Sequence, residues 1–407
     1  MEIQQLEKKS QDYLNTLCLE IFNRCVGSRG NRIATDFFAE TMRALGYQVE
    51  TPEFDCMDWR QQGADLSVGN NRFKAFVSPY SLGCKVDAPL VSVSTIDELE
   101  MANLSNKIVL LRGEIAKEQL MPKNFTFYNP EEHQQIIRLL EDKNPLAIIS
   151  ATSRDPQMAG AVYPFPLIED GDFDIPSAFM TEEEGNKLAA HTGRATSLAI
   201  RASRQPARGC NVIARKNADR QTRVVLFAHI DAKLGTPGAL DNASGIVILL
   251  LLAELLKSFE GKNAIEIVAL NGEDYYAASG ERLYVIQNQD KFADISLGIN
   301  LDGVGYYHGN SAYSLYDCPE ELATIIHSTF SPYKDIVAGE PWYQGDHGLF
   351  IMNHTPALAI TSDLFNEILT EIAHTPKDTP SLVVPSKLVQ VASSLRDLLF
   401  ALDQHYS

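Results

Sequence analysis

Histidine and carboxylate side chains follow four apolar segments in the second half of the chain, directly or shortly after each segment ends. In chain order they are His229 and Asp231 with Asp241 behind them, then Glu273 and Asp274, then Asp302, and last His374. Near-continuous apolar segments are typical of parallel strands buried on both faces. Ligands of open α/β sheets bind at the carboxyl ends of such strands. We therefore expect these side chains to converge at one sheet edge.

The composition of this set is typical of a catalytic site for divalent cations. A structural zinc site would instead be a closed cage of Cys and His ligands. Two imidazoles and several carboxylates suit a pair of ions with one bridging carboxylate and one position open to water. A further carboxylate would act as general base. The glycines of "GTPGALDNASG" allow the backbone to carry Asp241 between the ions. Asp231 is expected to hydrogen-bond His229 or to fix the local backbone.

These motifs, in this order, resemble the successive motifs of the M28 zinc peptidases. The resemblance covers about residues 209–380 through "AHID…DNASG", "NGED…SGERLYV", "NLDGVGY", "GDHGLF" and "HTPKDT", and "VGSRGN" near residue 27 belongs to it. Members of the family are co-catalytic metallopeptidases that mostly act as aminopeptidases. The resemblance therefore implies hydrolysis of a peptide substrate with two divalent metal ions per chain, zinc being the expected metal.

The resemblance also implies a role for each matching residue. The metal ligands would be His229, Asp241, Asp274, Asp302 and His374, with Asp241 as the bridge. Glu273 would be the general base, and Asp231 is grouped with it in the catalytic centre. Substrate binding is assigned to Tyr343, Asp346 and His347, although the last two could equally cap a helix at "GDHGLF".

Two positions depart from the pattern of the family. Many members have two consecutive glutamates where this chain has Glu273 and Asp274, so the shorter aspartate could shift the geometry or the metal preference. Many also have a tyrosine, thought to stabilise the tetrahedral intermediate, where this chain has Ala373. Another donor, His347 or Tyr343, would have to take its place.

Other functions remain alternatives. A carboxypeptidase or dipeptidase would use the same metal centre and would need a basic residue that binds the substrate carboxylate. A receptor-like or scaffolding member would have lost metal ligands, and none is missing from the sequence. A single-zinc glutaminyl cyclase does not need His229 or the "DNASG" turn.

The chain is long enough for two domains, with 407 residues of which 45% are hydrophobic. We predict an α/β fold with a mostly parallel central sheet flanked by helices, of the zinc-exopeptidase type, and a smaller inserted α+β domain. The predicted divisions are 1–58 and 208–407 for the peptidase domain and 59–207 for the insert. The insert resembles a protease-associated domain, notably in "DIPSAFMTEEEGNKLAAH".

Composition also bounds the partners and the location. A net charge of −18 argues against nucleic acid or an anionic membrane as partner. No apolar run approaches the roughly 20 residues of a membrane span, and the N-terminus does not resemble a signal peptide. The six cysteines show no paired spacing, which is typical of reduced thiols. We therefore expect a cytoplasmic protein, with the oligomeric state, including a homo-oligomer, left open.

Overall fold

The computed structural model describes residues 3–154 and 163–405, and the chain forms two compact units. One unit consists of Met1–Cys56 together with Ala207–Ser407, and the other is Met57–Pro206. The first unit carries every residue proposed above for the metal site.

The helices and strands follow one another along the whole chain. The helices are α1 (Ile3–Asn15), α2 (Arg29–Ala44), α3 (Ile96–Met101), α4 (Glu131–Lys143), α5 (Glu182–Ala189), α6 (Ser244–Leu255), α7 (Ser279–Asn288), α8 (Glu320–Phe330), α9 (Gly348–Ile351), α10 (Phe365–Glu371) and α11 (Pro385–His405). The strands are β1 (Gln48–Glu50), β2 (Glu53–Val68), β3 (Asn71–Phe73), β4 (Phe76–Val77), β5 (Cys84–Val93), β6 (Ile108–Leu111), β7 (Ala147–Thr152), β8 (Ser177–Thr181), β9 (Ala195–Cys210), β10 (Val212–Lys216), β11 (Arg223–His229), β12 (Ala264–Leu270), β13 (Ile295–Leu301), β14 (Ser311–Tyr316), β15 (Ile336–Ala338) and β16 (Ala357–Ser362).

The sheet of the first unit has the strand order β1-β10-β12-β11-β13-β16-β14-β15. Its central strands β12, β11, β13 and β16 pair in parallel, whereas β10 and β14 run antiparallel to their central neighbours. The central strands are buried along nearly their whole length, as expected for strands covered on both faces. Parallel pairing brings their carboxyl ends to one edge, and the predicted α/β fold is confirmed.

Helices cover this sheet and complete the core. Helix α6 is buried from Ser244 to Ala253, which explains why it is apolar on all sides, and it packs against α11, α1 and β11. Pro385 occupies the first position of α11, where its missing N–H costs no helical hydrogen bond.

The sequence patterns identified some of the strands and missed others. The four apolar segments that precede the predicted site residues cover 224–228, 264–270, 296–301 and 356–361 and coincide, within one residue at each end, with β11, β12, β13 and β16. Strands β10, β14 and β15 were missed because they are short or mix polar residues with apolar ones. Residues 47–56 contain two strand segments and not one, because β1 ends at Glu50 and β2 begins at Glu53, with Pro52 between them.

The second unit is built on its own sheet, of order β3-β2-β9-β5-β6-β7-β8-β4. Strands β5 to β8 pair in parallel, and alternate residues of β6 enter two different cores. One core includes residues of α3 and α4, and the other includes Leu188 of α5. The apolar segments 107–113, 146–151 and 196–203 overlap β6, β7 and β9. The assignment to a protease-associated domain stays a prediction.

We predict that Gly245→Ala destabilises the protein because α6 begins in close contact with the sheet. An added Cβ at Gly245 would lie 2.5 Å from Leu301 O, 2.5 Å from Asn242 Oδ1 and 2.8 Å from Ala228 Cβ. We expect the free energy of unfolding to fall by about 1–3 kcal/mol, measured by urea denaturation. Gly348→Ala is the matched control, since no atom lies within 4 Å of the Cβ added there. Equal stability of the two variants would contradict the predicted close packing.

Candidate metal centre

The first imidazole of the site ends strand β11. The Nε2 atom of His229 lies 3.1 Å from Asp241 Oδ1 and 3.8 Å from Asp302 Oδ1. Glu273 Oε2 lies 3.9 Å from the same nitrogen. Asp302 directly follows β13 and Glu273 follows β12, so the parallel strands deliver these groups to one place. The structure thus brings together the side chains that the sequence analysis predicted to converge.

The second imidazole lies on the other side of Asp241. The Nε2 atom of His374 is 3.1 Å from Asp241 Oδ2 and 3.1 Å from Asp274 Oδ1. His374 adopts a left-handed backbone conformation with φ of 61° in the segment after α10. Asp241 therefore presents one carboxylate oxygen to each imidazole.

The donor atoms have the spacing that divalent cations require. Two ligand atoms on one tetrahedral zinc are roughly 3.3 Å apart, given bonds of about 2.0–2.2 Å. Ligand atoms of His229, Asp241 and Asp274 all lie within 4.8 Å of one another. Among the described residues, neither ring nitrogen of His229 nor either carboxylate oxygen of Asp274 has a hydrogen-bond partner. Buried polar atoms are normally bonded, so these residues fit a bound divalent cation.

The electrostatics of the buried cluster favour cations as well. Burial raises the pKa of Glu273 well above its usual value, and Asp274 raises it further, against the lowering effect of His229. Burial lowers the pKa of His229, but Glu273 and the neighbouring aspartates outweigh it and the pKa is raised. Burial likewise raises the pKa of Asp241, but its two imidazole partners hold that pKa below the ordinary range. A bound cation would relieve the repulsion between the carboxylates.

Asp231 positions the site and does not face a reacting group. Its Oδ1 accepts a hydrogen bond from Gly272 N at 2.8 Å, and its Oδ2 accepts one from Asp274 N at 3.0 Å. The same carboxylate lies 3.7 Å from His229 Nδ1. Both of its oxygens bind the backbone that carries Glu273 and Asp274, as expected for a residue that fixes the local backbone, and its grouping with Glu273 in the catalytic centre stays a prediction.

Asp378 is a second positioning residue, and the sequence analysis did not single it out. Its Oδ1 accepts from Leu240 N at 2.8 Å and its Oδ2 from Asp241 N at 3.0 Å. Burial raises the pKa of Asp378 to about 7. The residue lies four positions after His374, within the quoted "HTPKDT" motif. That motif was the signal that could have identified it.

Arg24 holds the other part of the same loop. Its buried guanidinium donates to the carbonyls of Ile230 at 3.0 Å, Pro237 at 2.8 Å and Gly238 at 2.9 Å, and to Leu17 O at 2.8 Å. An arginine beside "VGSRGN" gave no sequence signal of this role. The guanidinium joins the N-terminal segment to both ends of the loop that precedes Asp241.

An amide network fixes the segment that carries Glu273. Asn31 and Asn271 exchange two side-chain hydrogen bonds, of 2.8 and 3.0 Å. Asn211 Oδ1 accepts from Asn271 N at 3.0 Å. The strand end before Glu273 is thus held by side chains distant in sequence.

The three predicted substrate-binding residues differ in their surroundings. Tyr343 is 75% exposed and its ring packs against Tyr316 at 5.7 Å. Asp346 is buried, with one carboxylate oxygen unbonded among the described residues, and burial raises its pKa to about 7. His347 is also buried, with Nε2 2.8 Å from Trp342 O and Nδ1 3.4 Å from Asn300 Nδ2. Both of its ring nitrogens are therefore engaged within the protein.

Ala373 has no side-chain donor that could take the role of the tyrosine found at this position in many M28 peptidases. Ala373 is buried, and its N–H bonds Ile368 O at 2.8 Å. The nitrogens of His347 contact Trp342 O and the Asn300 amide, which does not favour His347 as a donor to an intermediate, and that role stays a prediction. The assignment of Tyr343 to that role stays a prediction.

The second half of the chain matches a known family. Residues 211–399 match the model of peptidase family M28. The match spans the strands and loops that carry His229, Asp241, Glu273, Asp302 and His374. With the similar proteins described next, it supports an M28 peptidase.

Individual relatives agree with the M28 match. The chain is 28% identical over 305 residues to the probable lipoprotein aminopeptidase LpqL of Mycobacterium tuberculosis, covering 74% of this chain and 58% of that protein. The chain thus spans little more than half of this relative's length. The aminopeptidase from Aneurinibacillus sp. strain AM-1 superposes with a TM-score of 0.75 at 20% identity, covering 97% of this chain and 93% of that one. BSAP, a zinc aminopeptidase from Bacillus subtilis, gives 0.73 at 19% identity, with 97% and 94% coverage.

Within residues 3–154 and 163–405, none of the helices combines the length and the apolar character needed to cross a membrane.

We predict that Asp378→Asn weakens metal binding without removing a ligand. The amide would keep one acceptor oxygen and place an NH2 group against the second backbone N–H, so the loop that carries Asp241 would lose one bond. We expect zinc affinity to fall about 10–100-fold, measured by competition with a chromophoric chelator. Asp363→Asn is the matched control, since Asp363 also accepts a backbone N–H, from Asn310. Unchanged affinity in Asp378→Asn would contradict the positioning role.

We predict a pH-dependent stability term from His347. Burial lowers the pKa of His347 from the ordinary value of 6.5 to about 4. A proton added at Nδ1 would also place an N–H group against the NH2 group of Asn300, where two donors would face each other. The unfolded chain takes up this proton below about pH 6.5 and the folded chain does not, so stability falls between pH 6.5 and 4. The loss is roughly 3 kcal/mol. Urea denaturation of metal-free wild type and His347→Gln should show the stability gap narrowing as pH falls. A difference in free energy of unfolding that does not change with pH would contradict this contribution of His347.

Proposed function

We propose that this chain is a two-zinc aminopeptidase that hydrolyses the bond after the N-terminal residue of a peptide. The observation that carries the proposal is the position of Asp241 between His229 and His374, with one carboxylate oxygen directed to each. The M28 match and the relatives named as aminopeptidases support the same activity.

The donor set divides between two cation sites. His229 and Asp302 would hold one ion, His374 and Asp274 would hold the other, and Asp241 would contribute an oxygen to each. Divalent ions bound there supply Lewis-acid polarisation of a carbonyl and lower the pKa of a water molecule. The buried neighbours Asp231 and Asp378 hold these ligands in place through the backbone.

Glu273 is the general base of the proposal. Its carboxylate lies beside the cluster, 3.9 Å from His229 Nε2, and its side chain remains partly exposed. The carboxylate takes a proton from the attacking water and passes it to the nitrogen of the leaving amine. The backbone segment that carries it is held by hydrogen bonds to Asn211 and Asp231.

The charge of the site is consistent with an exopeptidase. Glu273 lies outside the proposed ligand set and leaves a carboxylate beside the cations, which favours the approach of a free α-ammonium group at a peptide N-terminus. A substrate whose N-terminus is acetylated has no such charge and would bind less well.

We predict two metal ions per chain and loss of hydrolysis in Glu273→Gln. Metal content is measured by elemental analysis, and hydrolysis is measured on leucine amide and N-acetyl-leucine amide. Glu273→Gln should retain both ions while kcat falls about 10²–10⁴-fold, because only the proton transfer is lost. Glu260→Gln, at an exposed position of the same unit, is the control with unchanged activity.

The outcomes separate the competing functions. Cleavage of the acetylated substrate as fast as the free one would exclude the aminopeptidase and favour a carboxypeptidase. One ion per chain would contradict the two-zinc centre. No metal and no hydrolysis after addition of zinc would indicate a binding protein.

A further inference from the structure

A lysine lies beside the candidate metal centre. The Nζ atom of Lys233 donates to Asp274 O at 3.0 Å and lies 3.7 Å from Asp274 Oδ1. That oxygen is itself 3.1 Å from His374 Nε2. The ammonium therefore stands next to a proposed ligand of the second cation.

The backbone of Lys233 is held on both sides. Arg24 bonds the carbonyl of Ile230 before it and those of Pro237 and Gly238 after it. Within the loop, Thr236 N donates to Lys233 O at 3.4 Å, and Thr236 Oγ1 accepts from Gly238 N at 3.0 Å. The position of the lysine is thus set by the same contacts that place Asp241.

The side chain of Lys233 is partly exposed, as are two side chains of the cluster. The side chains of Lys233, Glu273 and His374 are 23%, 30% and 31% exposed. Those of His229 and Asp274 are 2% and 1% exposed, which places them behind the accessible groups. A substrate that reaches Glu273 and His374 would therefore also meet Lys233.

Peptide geometry identifies the anion that fits. In a dipeptide the free carboxylate is separated from the hydrolysed carbonyl by one amide nitrogen and one Cα, about 4 Å in all. A lysine has a flexible stem and three N–H donors, so it can follow a carboxylate at this distance. In a longer peptide the same position carries an uncharged amide.

We propose that Lys233 binds the α-carboxylate of the substrate and makes dipeptides with a free C-terminus the preferred substrate class. This inference rests on the peptidase function proposed above and adds its substrate class. Lys233 also tethers the Asp274 carbonyl, and that structural role would affect all substrates alike. The carboxylate-binding role affects free acids more than their amides.

The test compares leucyl-glycine with leucyl-glycine amide. We expect the wild type to have the higher kcat/KM on the free acid. In Lys233→Met the ratio of kcat/KM between acid and amide should fall at least about ten-fold, chiefly through KM, because a charge-assisted hydrogen bond is lost. Lys233→Arg should keep most of the acid preference. Lys291→Met, at an exposed lysine, should leave the ratio unchanged.

A binding measurement separates this inference from the proposed function. In the Glu273→Gln background, calorimetry with the zinc-loaded protein should show tighter binding of leucyl-glycine than of its amide. The added Lys233→Met substitution should remove that difference. Equal losses on acid and amide in both assays would overturn the inference and leave Lys233 as a tether. Binding preference without wild-type hydrolysis would uphold carboxylate recognition and contradict the peptidase.

Discussion

The geometry of the centre depends on the hydrogen bonds that hold one loop, residues 230–241. Arg24 binds the carbonyls of the loop and Asp378 binds the N–H groups at its end, including that of Asp241. The loop comes so close that a Cβ at Gly238 would lie 2.5 Å from Asp241 O and 2.7 Å from Arg24 Nη2. Glycine, with φ of +60°, is therefore required at this position. Asp241 lies between the two imidazoles because hydrogen bonds hold the backbone before it and at its own N–H.

The hydrogen bonds of this loop also hold the carboxylates of the candidate metal centre closer together than they would be in an unfolded chain. Burial raises the pKa of Glu273 well above its usual value and that of Asp346 to about 7, so the metal-free cluster retains protons. Cations must displace these protons, which makes metal binding pH-dependent and couples it to proton release. Because the ligands are already fixed, little conformational entropy is lost on binding. A divalent ion bound here would relieve the repulsion between the fixed carboxylates, and this relief would favour binding.

The residues that carry chemistry could be predicted because each follows an apolar strand, and parallel pairing brings strand ends together. Of the residues that position them, Asp231 was expected to fix the local backbone and Asp378 lies in a quoted motif, but the others could not be predicted. Asn31 and Asn271 are separated by 240 positions and meet only in the folded chain. Arg24 acts through backbone carbonyls, which leave no pattern in the sequence. The orientation of His347 likewise depends on Trp342 O, and the short strands β10, β14 and β15 depend on their neighbours for their structure.

Asp274 shows how a shorter side chain can still reach a metal position. Asp231 accepts from its N–H, and Lys233 donates to its carbonyl, so both sides of this peptide segment are drawn towards the loop. From there, Asp274 Oδ1 lies 3.1 Å from His374 Nε2, within the spacing expected of two ligands on one ion. A glutamate at the same backbone position would extend one methylene further into the space beside His374. The short side chain of Asp274 is therefore the right length for the position in which its backbone is held. Lys233, which helps to fix that backbone, is also the residue proposed to bind the substrate carboxylate.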